Sequence, residues 1–111
     1  MEIKTINKGD ATIIKIDDRL DGTSSPELQK YLNEITKQDL KLIVLDMEFL
    51  NFISSVGFRV IVSSAKAVQA KKGKFVLSGI NGAVEKAFKM AALDRIFKIY
   101  DNVDNALTME A

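Results

Sequence analysis

Residues 42–68, LIVLDMEFLNFISSVGFRVIVSSAKAV, decide the fold of this chain. The stretch opens with four apolar residues in a row, 42–45, and such an unbroken run is typical of a strand that helices cover on both faces. Further on, small and apolar residues recur at steps of three and four, which predicts an amphipathic helix. The stripe consists of Gly57, Val60, Ile61, Ser64, Ala65 and Val68. The stretch therefore predicts a strand, a short loop, a serine pair and a helix.

The serine pair, Ser54 and Ser55, stands where the second helix is expected to begin. Backbone N–H groups in the first turn of a helix lack partners, and the helix dipole is positive there. A hydroxyl at this place can cap the helix, which is worth about 1 kcal/mol, or it can carry a phosphate. From the spacing alone, capping is the favoured interpretation and modification is the alternative.

Composition excludes several classes of function. With 111 residues, the chain is expected to form a single domain, 1–111. The net charge of +1 gives no long-range field that would attract nucleic acid or an anionic membrane. The chain has no cysteine and no histidine, so thiol chemistry, the usual base of a serine nucleophile and most zinc sites are excluded. We expect a cytoplasmic protein that is not an enzyme and that uses no metal and no cofactor.

Signals of secondary structure continue on both sides of the central stretch. Residues 2–6 and 11–17 predict two strands of a hairpin joined by the turn 7–10. After a loop over residues 17–23, helix one is expected with Ser25 as N-cap and Pro26 at its first position. Ser24 and Glu27 offer a capping box as the alternative start. The apolar face of this helix consists of Leu28, Tyr31, Leu32 and Ile35.

The second half of the chain repeats the alternation of strand and helix. Gly73 is expected to end helix two in the left-handed conformation, and strand 74–78 and loop 79–82 follow. Helix three is expected next, then a short strand over residues 96–99, and then a terminal helix capped by Asp101 or Asn102. The order β-β-α-β-α-β-α-β-α predicts an α/β fold whose mostly parallel central sheet begins with an N-terminal β-hairpin. The inward residues of the last two helices are Val84, Ala87, Phe88, Ala91, Val103, Ala106 and Leu107.

Three carboxylates are expected near the carboxyl ends of the strands, where α/β sheets bind ligands. They are Asp21, Asp46 and Glu48. Carboxylates at strand ends are common and well solvated, so solvation is favoured over metal or acid–base chemistry. The loop 79–82 lacks the Lys-Ser/Thr of a phosphate-binding loop and is expected to be a turn.

Helix two carries a second feature beside its core stripe. Phe58 and Val62 lie off that stripe, and Arg59 stands between them. Steps of three and four place Ser55 on the same face. An apolar pair beside a charge near a helix start suggests a docking patch. The alternative is that Phe58 and Val62 pack under a neighbouring helix.

The chain resembles STAS domains, the fold of the bacterial anti-sigma factor antagonists. The resemblance rests on Leu45-Asp46 followed by residues 52–61, FISSVGFRVI, on Arg19-Leu20-Asp21 before helix one, and on the tail 92–100, ALDRIFKIY. It covers nearly the whole chain, and the serine-glycine motif is specific in combination with the other two features.

The resemblance implies a phosphorylation switch. In the family, an anti-sigma factor kinase phosphorylates the serine two places before the motif glycine, a metal-dependent serine phosphatase removes the phosphate, and the unmodified form frees a sigma factor. In this chain that serine is Ser55. Ser54 stands where many members have an aspartate, and it is the minor candidate acceptor. The chain is expected to be a monomer when free. The implied partner-binding residues are Asp21, Gly22, Thr23, Ser54, Val56, Gly57, Phe58, Arg59 and Val62.

Three alternatives stay open at this point. The chain could be a STAS scaffold that is not phosphorylated, or a partner-binding module in another signalling complex. It could be an aspartyl-phosphate receiver, since Asp46 ends an apolar strand, although the first strands lack the paired acidic residues that hold magnesium. A small enzyme would need Asp or Lys as its base, and no such constellation is visible.

Overall fold

Five strands form one mixed sheet in the order β1-β2-β3-β4-β5 in the computed structural model, which describes residues 1–110. Strand β1 pairs antiparallel with β2, and the other neighbours are parallel. The elements are β1 Ile3–Lys8, β2 Ala11–Leu20, α1 Ser25–Ile35, β3 Leu42–Ile53, α2 Ser55–Ala70, β4 Lys74–Ser78, α3 Gly82–Met90, a 3₁₀ turn Leu93–Arg95, β5 Ile99–Tyr100 and α4 Val103–Met109. The predicted element order and the opening hairpin are confirmed.

Helices cover both faces of the sheet, as the apolar run at the start of β3 predicts. Ile43 and Leu45 face the larger core, to which α1, α2 and α3 contribute side chains. Leu42 and Val44 face a smaller core on the opposite side, which α4 closes with Ala106. Because successive side chains of a strand point to opposite faces, this part of β3 has no solvent-exposed side and therefore no polar alternation.

Strands β2 and β3 are longer than the sequence pattern predicts. They pair as far as Leu20 and Ile53, so the predicted loop over residues 17–23 and the predicted short loop before the serine pair are wrong for most of their length. The pairing shifts register between Lys15 and Asp17 and again beside Asp18, which has a positive φ of 64°. These bulges break the period of two that identifies a strand in the sequence, and they let polar and apolar residues follow one another within paired strands.

Asp46 is buried inside the sheet, and the prediction that it is solvated is wrong. Its side chain is 4% exposed. The Ser78 hydroxyl and the Glu48 backbone N–H donate to its Oδ1 over 3.3 and 3.2 Å, and Lys15 Nζ lies 3.7 Å from Oδ2. The carboxylate is thus held as a structural acceptor. Glu48 itself is exposed, as predicted.

The start of α1 differs from both predicted caps. Ser25 is the first residue of the helix, and its buried hydroxyl has no hydrogen-bond partner within residues 1–110. Ser24 occupies the N-cap position but makes no side-chain cap, so no capping box with Glu27 forms. The hydroxyl of Ser24 donates instead to the carbonyl oxygen of Arg19 over 2.6 Å. Pro26 lies in the first turn, as predicted.

The end of α2 uses a different left-handed residue from the predicted one. Lys72 has a φ of 66°, and Gly73 does not lie in the left-handed region. Gly73 is required for space, because a Cβ there would lie 2.5 Å from the carbonyl oxygen of Leu40.

The last strand starts later than the apolar residues alone indicate, whereas the last helix starts where it is predicted. The predicted strand over residues 96–99 is reduced to Ile99–Tyr100, because the chain first makes a 3₁₀ turn that turns Phe97 into the core and leaves Ile96 exposed. Asn102 caps α4 by accepting from the Asn105 N–H over 2.8 Å, which confirms one of the two predicted caps.

Replacing Gly79 by alanine is expected to destabilise the fold by about 2–4 kcal/mol. Its φ is +73°, which costs an alanine about 1–2 kcal/mol, and the new Cβ would lie 2.9 Å from Asp46 Oδ1, which adds a packing cost. Gly9→Ala is the matched control, since Gly9 has a φ of +57° with nothing within 4 Å and tests the conformation alone. Urea unfolding measures both variants, and equal losses would contradict a packing role for Gly79.

Candidate functional site

The two serines at the start of α2 have different surroundings. Ser54 is the N-cap, in an extended conformation, and its Oγ accepts from the Gly57 N–H over 3.4 Å. Ser55 is the first helical residue and is exposed, and its hydroxyl makes no hydrogen bond with the described part of the chain, 1–110. The predicted helix start is confirmed. The two interpretations of the serine pair thus fall on different residues: Ser54 caps the helix, and Ser55 presents a hydroxyl to solvent.

Gly57 allows the first turn of α2 to pack directly on the sheet. It is buried, and a Cβ there would lie 2.9 Å from both Ile53 Cγ1 and Leu20 Cγ. Contacts below 3.0 Å require the neighbours to shift, and both neighbours are branched core side chains. The absence of a side chain at Gly57 therefore lets the helix start that carries Ser54 and Ser55 lie close to the ends of β2 and β3. The contact of Gly57 with a partner stays a prediction.

The loop before α1 is held by the carboxylate of Asp21. Its Oδ1 accepts from the backbone N–H groups of Thr23 and Ser24 over 3.0 and 3.2 Å, and Arg19 Nε lies 3.4 Å from Oδ2. The hydrogen bonds from the Ser24 and Thr23 backbones hold the pKa of Asp21 below its ordinary value of 3.8. Gly22 and Thr23 are exposed beside it. A permanent negative charge therefore marks this loop at neutral pH.

The Asp21 loop and the start of α2 lie at the same edge of the sheet. Leu20 pairs with Ile53 at the ends of β2 and β3, and the Ser54 N–H donates to the Leu20 carbonyl oxygen over 2.9 Å. The two segments that carry the predicted site residues are thus joined by a backbone hydrogen bond, although 33 positions of sequence separate Asp21 from Ser54.

Arg19 and Phe52 also belong to this edge, and sequence reasoning did not select them as site residues. Their positions pair across β2 and β3, and the Arg19 guanidinium lies 4.2 Å from the centroid of the Phe52 ring. Phe52 is still 38% exposed, so an aromatic surface remains beside the serine pair. The strand register brings the two residues together, and without that register the sequence offers no signal that they meet.

The helix face below Ser55 forms one wall of an open groove. Phe58, Arg59 and Val62 line this wall, and Ala91 and Leu93 line the other. Phe58 and Val62 are half-buried. Their exposure lies between the two alternatives left open by the sequence, an exposed docking patch and packing under a neighbouring helix. The Phe58 ring packs edge-on against Phe88 of α3, with ring centroids 5.0 Å apart. Arg59 and Val56 are exposed.

Other kinds of site find little support in the described residues. Among residues 1–110, no three or more Asp or Glu side chains cluster as metal ligands would. Asp46 lies under Gly79 and beside Lys15, so it is not an accessible phosphoacceptor of the receiver kind. None of the helices in this part of the chain is long and apolar enough to span a membrane.

Asp21→Asn is expected to lower the free energy of unfolding at pH 7, with a difference from the wild type that disappears in acid. Because folding lowers the pKa of Asp21, its charge stabilises the folded state above the ordinary pKa of 3.8, and this stabilisation is lost as the pH falls through the folded pKa. Urea unfolding from pH 2 to 7 measures the difference. Asp39→Asn, an exposed carboxylate without such hydrogen bonds, is the control, and a pH-independent difference for Asp21→Asn would contradict this assignment.

The chain is similar in sequence and in structure to known proteins. Residues 2–106 match the profile of the STAS domain. The "Anti-sigma F factor antagonist" of Paenibacillus polymyxa is 32% identical over 97 residues, which cover 86% of this chain and 83% of that protein. The crystal structure of a candidate anti-sigma factor antagonist of Thermotoga maritima superposes with a TM-score of 0.90 at 26% identity, over 96% of this chain and 92% of that one.

A third similarity concerns the fold alone. The phosphorylated form of SpoIIAA, a Bacillus cell fate determinant, superposes with a TM-score of 0.77 at 15% identity, over 99% of this chain and 100% of that one. The mixed five-stranded sheet with four helices is common to these structures. Because the profile matches most of its length and the Paenibacillus relative is 32% identical, the chain belongs to the STAS domain family.

Proposed function

We propose that this protein is an anti-sigma factor antagonist switched by phosphorylation of Ser55. The unmodified form binds an anti-sigma factor kinase and frees a sigma factor, the kinase phosphorylates Ser55, and a metal-dependent serine phosphatase reverses the step. The observation that carries the proposal is the exposed Ser55 hydroxyl at the first position of α2, unbonded within residues 1–110. The name of the Paenibacillus relative, an anti-sigma F factor antagonist, supports it. The setting would be the cytoplasm.

Ser55 is a better acceptor than its neighbour Ser54. Transfer of a phosphoryl group needs a hydroxyl that a kinase can reach and deprotonate, and Ser55 is exposed. Ser54 is half-buried, and its oxygen already accepts the hydrogen bond from Gly57 that caps the helix. Modifying Ser54 would disturb a cap worth about 1 kcal/mol, so Ser54 is at most the minor acceptor.

The fold is expected to tolerate the phosphate at Ser55. A phosphoserine adds about −1.5 to −2 charges, and a negative charge at a helix N-terminus is favourable by about 0.3–1 kcal/mol. Ser55 lies outside the packed contacts of Gly57 with Leu20 and Ile53, so the added group displaces no core atom. A Bacillus protein of the same fold is known in its phosphorylated form, which agrees with this view.

The docking surface is where the phosphate would act. We assign to it the Asp21 loop and the first two turns of α2, and its members are Asp21, Gly22, Thr23, Ser54, Val56, Gly57, Phe58, Arg59 and Val62. Covering a phosphoserine with a partner would remove its charge from water at a cost of several kcal/mol. An exposed pairing with Arg59 returns only about 0–1 kcal/mol. The ionised Asp21 at the same edge adds like charge, so the modified form is expected to dissociate.

The switch predicts a separation of binding from stability. Phosphorylation of Ser55 should weaken binding to the cognate kinase by about 100-fold, since 1.4 kcal/mol is tenfold in affinity and the cost of burial is several kcal/mol. Ser55→Asp should show a smaller loss because it carries less charge, and Ser55→Ala should bind normally without accepting phosphate. Titration calorimetry against the kinase and thermal melting of each form are the measurements.

Ser54→Ala is the matched control for the same experiment. It should lose about 1 kcal/mol of stability with the helix cap, while the kinase still modifies Ser55, as mass spectrometry of the tryptic peptide would show. Equal affinities of the modified and unmodified forms would refute the electrostatic switch. A chain that the cognate kinase binds but never phosphorylates would instead be a STAS scaffold that is not phosphorylated.

A further inference from the structure

The groove beside α2 continues well past the Ser55 end. Val62 and Lys66 line both the part next to Ser55 and a second part that reaches Gly73 and Phe97. One wall is α2 along its whole length, and the other is the segment 91–98 after α3. At 1.5 Å per helical residue, the wall from Ser55 to Gln69 is about 21 Å long. We call this surface the α2 groove.

Apolar side chains line part of the α2 groove. Val62 and Ala65 contribute from α2, and Leu93 contributes from the facing segment. At the rim, Ile96 is 70% exposed, a large fraction for a branched aliphatic side chain that directly precedes the core residue Phe97. Exposed apolar groups gathered along a groove mark a contact surface more often than isolated ones do.

The charges around the α2 groove are mostly positive. Its lining includes four cations, Arg59, Lys66, Lys74 and Lys98, and one carboxylate, Glu110. The side chain of Glu110 is 2% exposed and is already paired with Lys74 and Lys98 over 3.4 and 3.6 Å. Arg59 and Lys66 have no carboxylate within 4.0 Å in residues 1–110. The whole chain carries only +1, so positive charge is concentrated at this groove.

The facing wall is held in place before anything binds. Ala92, at a φ of 57°, turns the chain out of α3 into the 3₁₀ turn. Phe97 then anchors the segment by packing against Phe88 and Phe75, with ring centroids 6.5 and 6.3 Å apart. Because these contacts already order the wall, binding of a ligand would not carry the entropic cost of ordering it.

We propose that the α2 groove binds an acidic amphipathic helix of a partner protein. Apolar residues on one side of that helix would contact Val62, Leu93 and Ile96, and its carboxylates would lie near Arg59 and Lys66. About 14 helical residues match the length of the groove. The apolar part of the lining favours such a peptide over a nucleic acid, whose phosphates would leave these side chains uncovered. The inference deepens the proposed function and rests on it for the partner's identity.

Binding of a synthetic probe tests the groove directly. The probe is a 14-residue peptide with leucines on one helical face and glutamates elsewhere, titrated into ¹⁵N-labelled full-length protein. We expect saturable binding with shifts of the amides of Val62, Lys66, Leu93 and Ile96. A peptide with serine in place of leucine and one with lysine in place of glutamate should each bind at least about tenfold more weakly.

A charge reversal in the protein gives the matched pair of variants. Lys66→Glu should weaken the acidic peptide about tenfold, whereas Lys8→Glu, the same change at an exposed site on β1, should leave its affinity within about twofold. Both residues are exposed, so circular dichroism is expected to show intact folds. An equal effect of the two variants would mean that only net charge matters and would overturn the inference.

Several outcomes separate this inference from the switch. No saturation up to about 1 mM, shifts away from the groove, self-association of the chain through it, or a single-stranded oligonucleotide that binds there in place of the peptide would each overturn it. Ser55 phosphorylation that releases the kinase, with Lys66→Glu binding the kinase as tightly as the wild type, would refute the groove alone. A groove that binds the peptide in a chain whose Ser55 is never phosphorylated would refute the switch alone.

Discussion

The close packing of Gly57 against Leu20 and Ile53 is the contact on which the geometry of the candidate site depends. A hydrogen atom in place of a Cβ lets the first turn of α2 lie on the ends of β2 and β3, where a side chain would lie 2.9 Å from two core atoms. The same approach allows the Ser54 N–H to reach the Leu20 carbonyl oxygen. That hydrogen bond joins the start of the loop held by Asp21 to the serine pair, so the two segments have a defined position relative to each other. A loose helix start would leave these segments without a common geometry.

Most of the topology could be predicted from the sequence because each element carries its own local signal. The unbroken run at the start of β3, the stripe of α2 and the turn at Gly9 depend on residues near one another in the chain, and these predictions are confirmed. The extensions of β2 and β3 could not be predicted in the same way. They are stabilised by pairing with each other across two bulges, and a bulge removes the alternation that would identify a strand.

The candidate site shows the same division. Ser54, Ser55 and the face with Phe58 and Val62 follow from helical spacing, which is local. The contact of Arg19 with Phe52 and the burial of Asp46 depend on strand register and on neighbours 31 to 33 positions away. A carboxylate after an apolar run looks solvated in the sequence, yet Ser78, Lys15 and a backbone N–H supply its partners here. Gly79 belongs to the same distant set, since it lies 33 positions from Asp46 and its missing Cβ leaves room for that carboxylate.

The division of roles between Ser54 and Ser55 explains how a charge could change binding without changing the fold. A single serine that both capped α2 and accepted phosphate would couple each modification to the stability of the helix start. Here the cap is made by one hydroxyl, and the neighbouring hydroxyl is left to solvent. The helix dipole favours a negative charge at that position, whereas a partner that covers it must remove the charge from water. The charge is thus favourable for the folded chain and unfavourable for the complex. A phosphate on Ser55 would therefore leave the fold intact and would act almost entirely on binding.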